Sequence, residues 1–463
     1  MEAMMFISTR GQAPAISFED VLLAGPAPDG GLYVPETWPT LDWDGLASKP
    51  AHDYAALAAQ VLGSFCDTPA WQGAIDSVTR EVYAGFTDPA AAPVRKLGPH
   101  RWLLELFHGP TLAFKDFALQ VLGPLMNEAL RRRGRRALVL AATSGDTGAA
   151  AVNALANRSH IDLVILHPKG RISDVQRRQM TTTDAPNIRN VAIEGTFDDA
   201  QAMVKAAFAD RRFADDHGLA AINSINWVRI AVQAAYYVST CLALGGRDAV
   251  FTVPTGNFGD AFAGYVARRM GAPVRRIIVA TNSNDILARA INTGVYARGT
   301  VEATISPAMD IQVASNFERL LFEALDRDAG RTAALMQAFE RSGTITLDPP
   351  VRAAIASVFA ADRVSEAETA ATIREVHDRT GLLVDPHTAV GLAANRIAGA
   401  ADDVVTLATA DPAKFPDAVA AATGIRPRLP DRLRWIETAT ERCDVLPASI
   451  DALKAYITQN PRR

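Results

Sequence analysis

Lysine and cysteine are both scarce in this sequence of 463 residues. Seven lysines occur, at positions 49, 96, 115, 169, 205, 414 and 454, so nearly all positive charge is carried by arginine. Chemistry that needs a primary amine therefore has few candidates. The three cysteines, Cys66, Cys241 and Cys443, lie far apart. Their spacing excludes a disulfide framework and a cysteine-based metal site, and it is typical of a protein of the reducing cytoplasm.

Strong net charge and long apolar runs are also missing. Lys plus Arg number 47 and Asp plus Glu number 51, a net charge of −4 that disfavours nonspecific binding to nucleic acid. No stretch of about 18 apolar residues is free of charge, so no transmembrane helix is expected. The first residues, MEAMMFISTRGQ, lack the apolar core of a secretory signal. With 49% apolar and 21% charged residues, the composition is that of a globular protein.

The chain changes character after a Pro- and Ala-rich stretch at 87–99, which we interpret as the end of an N-terminal domain. Beyond it, apolar runs alternate with helical patterns, which predicts right-handed βαβ units and mostly parallel sheets. The predicted strands span 137–141, 161–166, 188–193, 249–253 and 275–280, with possible strands at 381–385 and 403–408, and the predicted helices span 197–212, 227–244 and 259–270.

Glycine-bearing loops follow two of these strands, where parallel sheets place their ligand sites. The first, Thr143–Gly148, reads TSGDTG, and its hydroxyls and helix N-terminus suit an anion. The second, Pro254–Asp260, reads PTGNFGD, and its Gly-x-x-Gly pattern suits a phosphate held by backbone N–H groups. Each loop could instead be a capped turn without a ligand.

Lys115 stands at the start of a predicted helix, between Phe114 and Phe117. A cation opposes the helix dipole at that end, which suggests another purpose for it. Desolvation among aromatic rings would lower the pKa of the amine and make it nucleophilic. The alternative is a surface lysine. Lys414 is the rival amine, but it follows a proline and lacks the flanking rings.

A reactive lysine together with a backbone phosphate cradle suggests pyridoxal phosphate. No cluster with metal-ligand spacing is present, so no metal is expected. His108 and His387 could move protons, although an orienting or capping role is the expectation for both.

Six motifs, in order along the chain, resemble those of the threonine synthase family. They are TLAFKDFALQ, ATSGDTGAAA, NSINW, PTGNFGDAFAG, DPHTAVG and LATADPAKFPDA, and STRG at 8–11 and DGGLYVP at 29–35 resemble the same family's N-terminal domain. The resemblance runs from about residue 8 to about residue 420.

The resemblance implies an α/β fold in which two αβα lobes with mostly parallel sheets clasp pyridoxal phosphate, as in tryptophan synthase β-chains. We expect an N-terminal domain at 1–95, a catalytic region of two lobes at 96–425 and a helical C-terminal extension at 426–463. The implied reaction converts O-phospho-L-homoserine and water to L-threonine and phosphate. No nucleic-acid or membrane partner is expected, and the protein would be a monomer or a homodimer.

The family's functional residues carry over by position. Lys115 would be the Schiff-base lysine and the catalytic residue. The cofactor would also be held by Gly256, Asn257, Phe258, Gly259 and Asp260 around its phosphate and by Thr409 at its pyridine nitrogen. The substrate would be bound by Ser144, Asp146, Thr147, Ser173 and Asn226.

One position departs from the family pattern. Asp411 stands where the family usually has histidine, next to the predicted cofactor ligand Thr409. Two other functions remain open at this point. One is a phospho-amino-acid lyase that stops at elimination, and the other is a non-catalytic protein that only resembles threonine synthase.

Overall fold

Two mostly parallel sheets organise the chain in the structure, a computed structural model that describes residues 4–48 and 53–460. The larger sheet has the strand order β13-β10-β9-β14-β4-β3 and is parallel except between β3 and β4. Its strands are β3 (Val94–Gly98), β4 (Arg101–Glu105), β9 (Ala249–Pro254), β10 (Val274–Thr281), β13 (Phe359–Arg363) and β14 (Asp403–Ala408).

The second sheet has five parallel strands in the order β15-β7-β6-β5-β8. They are β5 (Ala137–Ala142), β6 (Ile161–Pro168), β7 (Ile188–Glu194), β8 (Leu219–Ala220) and β15 (Asp444–Pro447). All eight residues of β6 are buried, because helices cover both faces of a parallel sheet. Two small antiparallel pairs complete the strands: β1 (Phe6–Ser8) with β2 (Tyr33–Pro35), and β11 (Val295–Ala297) with β12 (Thr344–Thr346).

Helices lie in the connections between the strands, and several of them begin at capping residues in the sequence. Capping boxes begin four of them, at Ser17, Ser173, Thr196 and Ser365. The helices are α1 (Phe18–Leu23), α2 (Trp43–Ala47), α3 (Tyr54–Gly63), α4 (Pro69–Ala84), α5 (Lys115–Arg132), α6 (Asp146–Leu155), α7 (Asp174–Thr181), α8 (Phe197–Ala209), α9 (Arg211–His217), α10 (Trp227–Ala243), α11 (Gly259–Arg269), α12 (Ile286–Thr293), α13 (Phe317–Ala324), α14 (Ala329–Ser342), α15 (Pro349–Ala356), α16 (Glu366–Thr380), α17 (Pro386–Ala394), α18 (Pro416–Thr423) and α19 (Ile450–Gln459).

The predicted α/β fold with mostly parallel sheets is confirmed, with three local corrections. The helix predicted at 197–212 divides at Asp210, whose carboxylate caps α9 through the N–H of Phe213. Residues 381–385 form no strand, and Asp385 instead caps α17. The C-terminal extension is not only helical, because β15 joins the edge of the smaller sheet beside β7. The domain boundaries at 95 and 425 stay predictions.

The N-terminal segment is joined to the rest of the chain by a buried ion pair. The guanidinium of Arg10 donates from Nε and Nη2 to the two carboxylate oxygens of Glu318, each at 3.0 Å. The hydroxyl of Thr9 donates to the same carboxylate at 2.7 Å. Apolar side chains from Phe6 to Leu407 belong to one continuous core that includes helices α3, α5 and α10. The N-terminal segment and the catalytic region therefore share a hydrophobic interior.

We expect Glu318→Gln to lower the free energy of unfolding by about 3 kcal/mol, since it leaves a buried guanidinium without its main counter-charge. Glu340 also pairs with Arg10 but is 52% exposed, so Glu340→Gln is the matched control and should cost well under about 1 kcal/mol. Urea denaturation of both variants measures the difference. Equal effects of the two substitutions would contradict this account of the N-terminal junction.

Candidate active site

Three loops meet between the two sheets because each follows the carboxyl end of a parallel strand. Residues 143–148 follow β5 of the smaller sheet. Residues 255–259 follow β9, and Thr409 follows β14, its neighbour in the larger sheet. The segment before α5 is held beside the third loop, since the N–H of Phe114 donates to the carbonyl of Thr409 at 2.9 Å. These connections place Lys115, the first residue of α5, at the junction.

The amine of Lys115 is buried, as its flanking aromatic residues predicted. The side chain is 11% exposed, and Nζ lies 4.5 Å from the centre of the Phe114 ring. Phe117 does not contribute, because its ring packs inward against Tyr54, Phe86 and Tyr236. Desolvation by burial lowers the pKa of Lys115, and the nearby cations Lys414 and Arg229 lower it further, against the attraction of Asp146.

Asp146 is the anion that faces this amine. Its Oδ2 lies 3.6 Å from Nζ of Lys115, and its Oδ1 accepts a hydrogen bond from Nε2 of Gln176 at 2.9 Å. The carboxylate is buried, yet Lys414 and Lys115 hold its pKa well below the usual range. Asp146 therefore stays ionised next to the candidate reactive amine.

Lys414, which the sequence offered only as a rival amine, is brought into the same cluster. Its side chain is completely buried, and Nζ lies 2.9 Å from Oδ1 of Asp146. Asp411 caps the short turn that presents Lys414, since its carboxylate accepts the N–H of Ala413 at 2.8 Å. The residue that departs from the family pattern thus supports the turn that carries this lysine.

The glycine loop has the form of an anion cradle. A Cβ at Gly256 would lie 2.7 Å from the carbonyl oxygen of Ala308, so only glycine fits there. Phe258 takes the left-handed conformation with φ 67° and buries its ring against Phe317 and Phe359. Oδ1 of Asn257 accepts the N–H of Gly259, the first residue of α11, at 3.2 Å, and the later N–H groups of the first turn have no side-chain cap among the described residues. The N-terminus of this helix is open to an anion.

Asp260 does not present its carboxylate as a phosphate ligand. Oδ1 accepts hydrogen bonds from Tyr236 at 2.5 Å and from Tyr237 at 3.0 Å, whereas Oδ2 is buried with no partner among the described residues. Burial raises the pKa of Asp260 to about 6. The predicted role of Asp260 in binding the phosphate is therefore limited to its backbone N–H in the first turn of α11. Its carboxylate would repel a phosphate.

The other residues predicted to bind the cofactor or the substrate differ in their exposure and in their hydrogen bonds. Thr409 is buried. Ser144 and Thr147 are partly exposed on the 143–148 loop, which is tightened by Thr143 accepting the N–H groups of Gly145 and Gly148. Ser173 caps α7 through the N–H of Gln176.

Asn226 is not available to a substrate. Its Oδ1 caps α10 by accepting the N–H of Val228 at 2.9 Å. Its Nδ2 faces the carbonyls of Val21, Leu22 and Ala24 at 3.1 to 3.2 Å, at the end of α1. Every polar atom of this buried side chain is already engaged. The prediction that it binds substrate is therefore replaced by a structural role.

Arg229, the third residue of α10, is a candidate site residue that the sequence motifs did not indicate. It is buried and close enough to Lys115 to lower the pKa of that amine. Nη1 donates to the carbonyl of Ile222 at 3.3 Å, but Nε has no partner among the described residues. Burial lowers the pKa of the guanidinium to about 10. The apolar surroundings of Arg229 in the sequence, NWVRIAV, were the available signal, since an arginine in a buried helix needs an anion.

His387 has the expected orienting role. Its Nδ1 lies 2.7 Å from the buried carboxylate of Asp385, and its Nε2 accepts the N–H of Ala308 at 3.1 Å. Because Ala308 packs against Gly256, this pair holds the neighbour of the glycine loop in place.

These features fit pyridoxal phosphate. The N–H groups at the start of α11 and the small Gly256 suit the phosphate, the Thr409 hydroxyl suits a ring nitrogen, and the desolvated Lys115 amine suits the aldehyde carbon. Within residues 4–48 and 53–460, no group of three or more His, Cys, Asp or Glu side chains could hold a metal ion. None of the helices in these ranges has the length and apolar character to cross a membrane.

Comparison with known proteins places the chain in a class and then in a family. Residues 89–363 match the profile of the family described as "Pyridoxal-phosphate dependent enzyme". Residues 5–83 match "Threonine synthase N terminus", and residues 388–457 match "Threonine synthase, C-terminal". The site thus belongs to a pyridoxal-phosphate-dependent enzyme.

Individual relatives agree over nearly the whole length. The threonine synthase of Pseudomonas aeruginosa is 48% identical over 99% of both chains. The crystal structure of PLP-bound threonine synthase from Brucella melitensis is 46% identical and superposes with a TM-score of 0.95 over 98% of both chains. The yeast threonine synthase structure is 34% identical with a TM-score of 0.91 over 98% of both chains. The chain belongs to the threonine synthase family.

The role assigned to Asn226 predicts that Asn226→Ala lowers the free energy of unfolding by about 2 to 3 kcal/mol, from a lost helix cap and unpaired carbonyls. Asn223→Ala, in the same motif but exposed, is the control and should be nearly neutral. Denaturation curves and substrate KM are measured together. A rise in KM without loss of stability would restore Asn226 as a substrate ligand.

The raised pKa of Asp260 predicts a pH-dependent effect of Asp260→Asn. The folded chain binds this proton more tightly than the unfolded chain, so the wild type loses stability as pH rises from about 4 to about 6. The substituted amide does not ionise, so the variant should match the wild type near pH 4 and exceed its free energy of unfolding by about 2 to 3 kcal/mol near pH 8. Urea denaturation of the cofactor-free protein across this range is the measurement. A difference that does not change with pH would contradict the assignment.

Proposed function

We propose that the protein converts O-phospho-L-homoserine and water to L-threonine and phosphate, with pyridoxal phosphate as cofactor. The observation that carries the proposal is the desolvated amine of Lys115 beside an ionised carboxylate and a glycine cradle. Membership of the threonine synthase family and its full-length relatives support it.

We infer that the cofactor is held at three points. Its phosphate would be bound by Gly256, Asn257, Phe258, Gly259 and Asp260, through the N–H groups at the start of α11. Thr409 would hydrogen-bond the ring nitrogen, and Lys115 would join the cofactor. When bound, pyridoxal phosphate supplies a conjugated ring that stabilises negative charge on substrate carbon atoms near the amine.

Lys115 is the proposed base and acid. Its Nζ is buried, and burial lowers the pKa of the amine, which favours the neutral form that can accept the Cα proton of the substrate. The same nitrogen can then return a proton to the carbon skeleton after the phosphate leaves Cγ. Asp146 stabilises the ammonium that forms on Lys115 and keeps it oriented.

The substrate's anionic groups have their own candidate ligands. Arg229 offers an N–H without a protein partner among the described residues in a buried setting, which favours a phosphate or carboxylate oxygen. Ser144 and Thr147 offer hydroxyl groups on the loop that also carries Asp146. Ser173 accepts a hydrogen bond as a helix cap, so its hydroxyl proton is still able to be donated.

The cellular setting and assembly follow from composition and remain our proposals. All three cysteines are free, and Cys66 and Cys241 are buried, which suits the reducing cytoplasm. A monomer or homodimer stays the prediction for the oligomeric state. O-Phospho-L-homoserine is the proposed small-molecule partner.

The decisive experiment is product analysis of the cofactor-loaded protein with O-phospho-L-homoserine. Threonine and phosphate in equal amounts would support the proposal. Phosphate with an oxo acid and ammonia would indicate the lyase that stops at elimination, and O-phosphoserine is the comparison substrate. Bound cofactor without phosphate release would favour a non-catalytic relative.

Lys115→Ala should abolish turnover, with a loss of at least about 10³-fold, because the variant lacks the only amine proposed to move the substrate proton. The thermal unfolding midpoint should change little or rise, since a desolvated cation is removed from a cluster that keeps Lys414 opposite Asp146. Lys205→Ala, at an exposed position, is the control and should retain full activity. Substantial turnover by a folded Lys115→Ala protein would refute the assignment.

A further inference from the structure

Asp146 is shared by two lysines at unequal distances. Nζ of Lys414 lies 2.9 Å from Oδ1, and Nζ of Lys115 lies 3.6 Å from Oδ2. Lys414 also donates to the carbonyl of Thr111 at 2.7 Å, and none of its side chain is exposed. Lys414 is thus the more tightly held of the two cations.

A second set of hydrogen bonds connects Lys414 to Lys115. Thr111, whose carbonyl accepts from Lys414, donates from its N–H at 2.8 Å and from its hydroxyl at 2.7 Å to the carboxylate of Asp116. Asp116 directly follows Lys115 in α5. The chain and these hydrogen bonds therefore form a closed ring that contains both lysines and Asp146.

This ring has a consequence for charge at the reacting amine. A buried carboxylate with one cation beside it favours the protonated form of that cation. Here Lys414 lies closer to Asp146 than Lys115 does, so the carboxylate has a second cation beside it and does not depend on the proton of Lys115 for a counter-charge. The other ionisable groups facing the cluster are Asp116 on α5, Arg229 on α10, Asp260 on α11, His387 on α17 and the capping residue Asp411.

We propose that Lys414 is a positioning residue whose fixed positive charge holds Asp146 in place and releases Lys115 from ion pairing, so that the Lys115 amine is available for chemistry. The inference rests on the proposed function only in taking Lys115 as the reacting amine. Lys414 itself touches neither substrate nor the cofactor in this account.

The test is a lysine-selective 13C NMR titration of the full-length, cofactor-free protein. Seven lysines give a spectrum small enough to assign by single substitutions, and the Cε shift reports protonation of each amine. In the wild type, Lys414 should stay charged through the pH range in which Lys115 loses its proton. Loss of the Lys414 proton before that of Lys115 would overturn the proposal without any variant.

Substitution of Lys414 provides the second readout. Lys414→Met should move the Lys115 titration midpoint upward by about one pH unit or more, since Asp146 then pairs with Lys115 alone. Lys414→Arg keeps the cation and should restore a midpoint near that of the wild type. Lys205→Met, at an exposed site, controls for the loss of a lysine. A folded Lys414→Met protein with an unchanged midpoint would overturn the proposal, because a merely structural lysine would alter stability alone.

The titration does not depend on turnover. If the product analysis failed while the Lys115 midpoint moved as expected, the proposed reaction would be wrong and the role of Lys414 would stand. If the products were threonine and phosphate while the midpoint did not move, the reaction would stand and the role of Lys414 would fall.

Discussion

A single buried carboxylate, that of Asp146, joins the two halves of the site. It comes from the loop after β5 in the smaller sheet, while Lys414 comes from the segment after β14 in the larger sheet and Lys115 from the start of α5. Burying one anion between two cations is favourable only when the geometry and the hydrogen bonds are satisfied, which Gln176 and the Thr111 carbonyl provide. The two lysines that approach the site from different segments therefore share this one carboxylate.

The parallel topology explains why the other functional groups lie nearby. β9 and β14 are neighbours, so the glycine loop and Thr409 emerge side by side from the same edge of the larger sheet. His387 and Asp385 hold the backbone N–H of Ala308, and Ala308 in turn packs against Gly256. The anion cradle is therefore supported from behind by the hydrogen bonds of His387 and Asp385, and the positive end of α11 is left to attract the phosphate.

Residues far from the candidate site connect the helices and strands that surround it. Arg10 and Thr9 reach Glu318 on α13, and Asn226 links α10 to the end of α1. The C-terminal strand β15 extends the smaller sheet, and Glu441 accepts from the hydroxyl of Thr181 at 2.7 Å at the end of α7. The N-terminal and C-terminal segments thus contact α10 and α7, which carry Arg229 and Gln176.

Much of the fold was readable from local pattern. The buried apolar runs at 137–141, 161–166 and 249–253 predicted the α/β class, and the glycine loops after the first and the third predicted the approximate place of the site. Both signals can be read from the sequence because hydrophobic periodicity and turn residues are local properties. The aromatic neighbour Phe114 likewise indicated a desolvated Lys115. The tertiary structure alone decided which polar groups were already engaged: Asn226 is hydrogen-bonded to the end of α1 and Oδ1 of Asp260 to two tyrosines. It also brings Lys414 and Arg229 to Lys115 from distant segments. Pairing of buried charges depends on distances across the fold, and no sequence spacing encodes those distances.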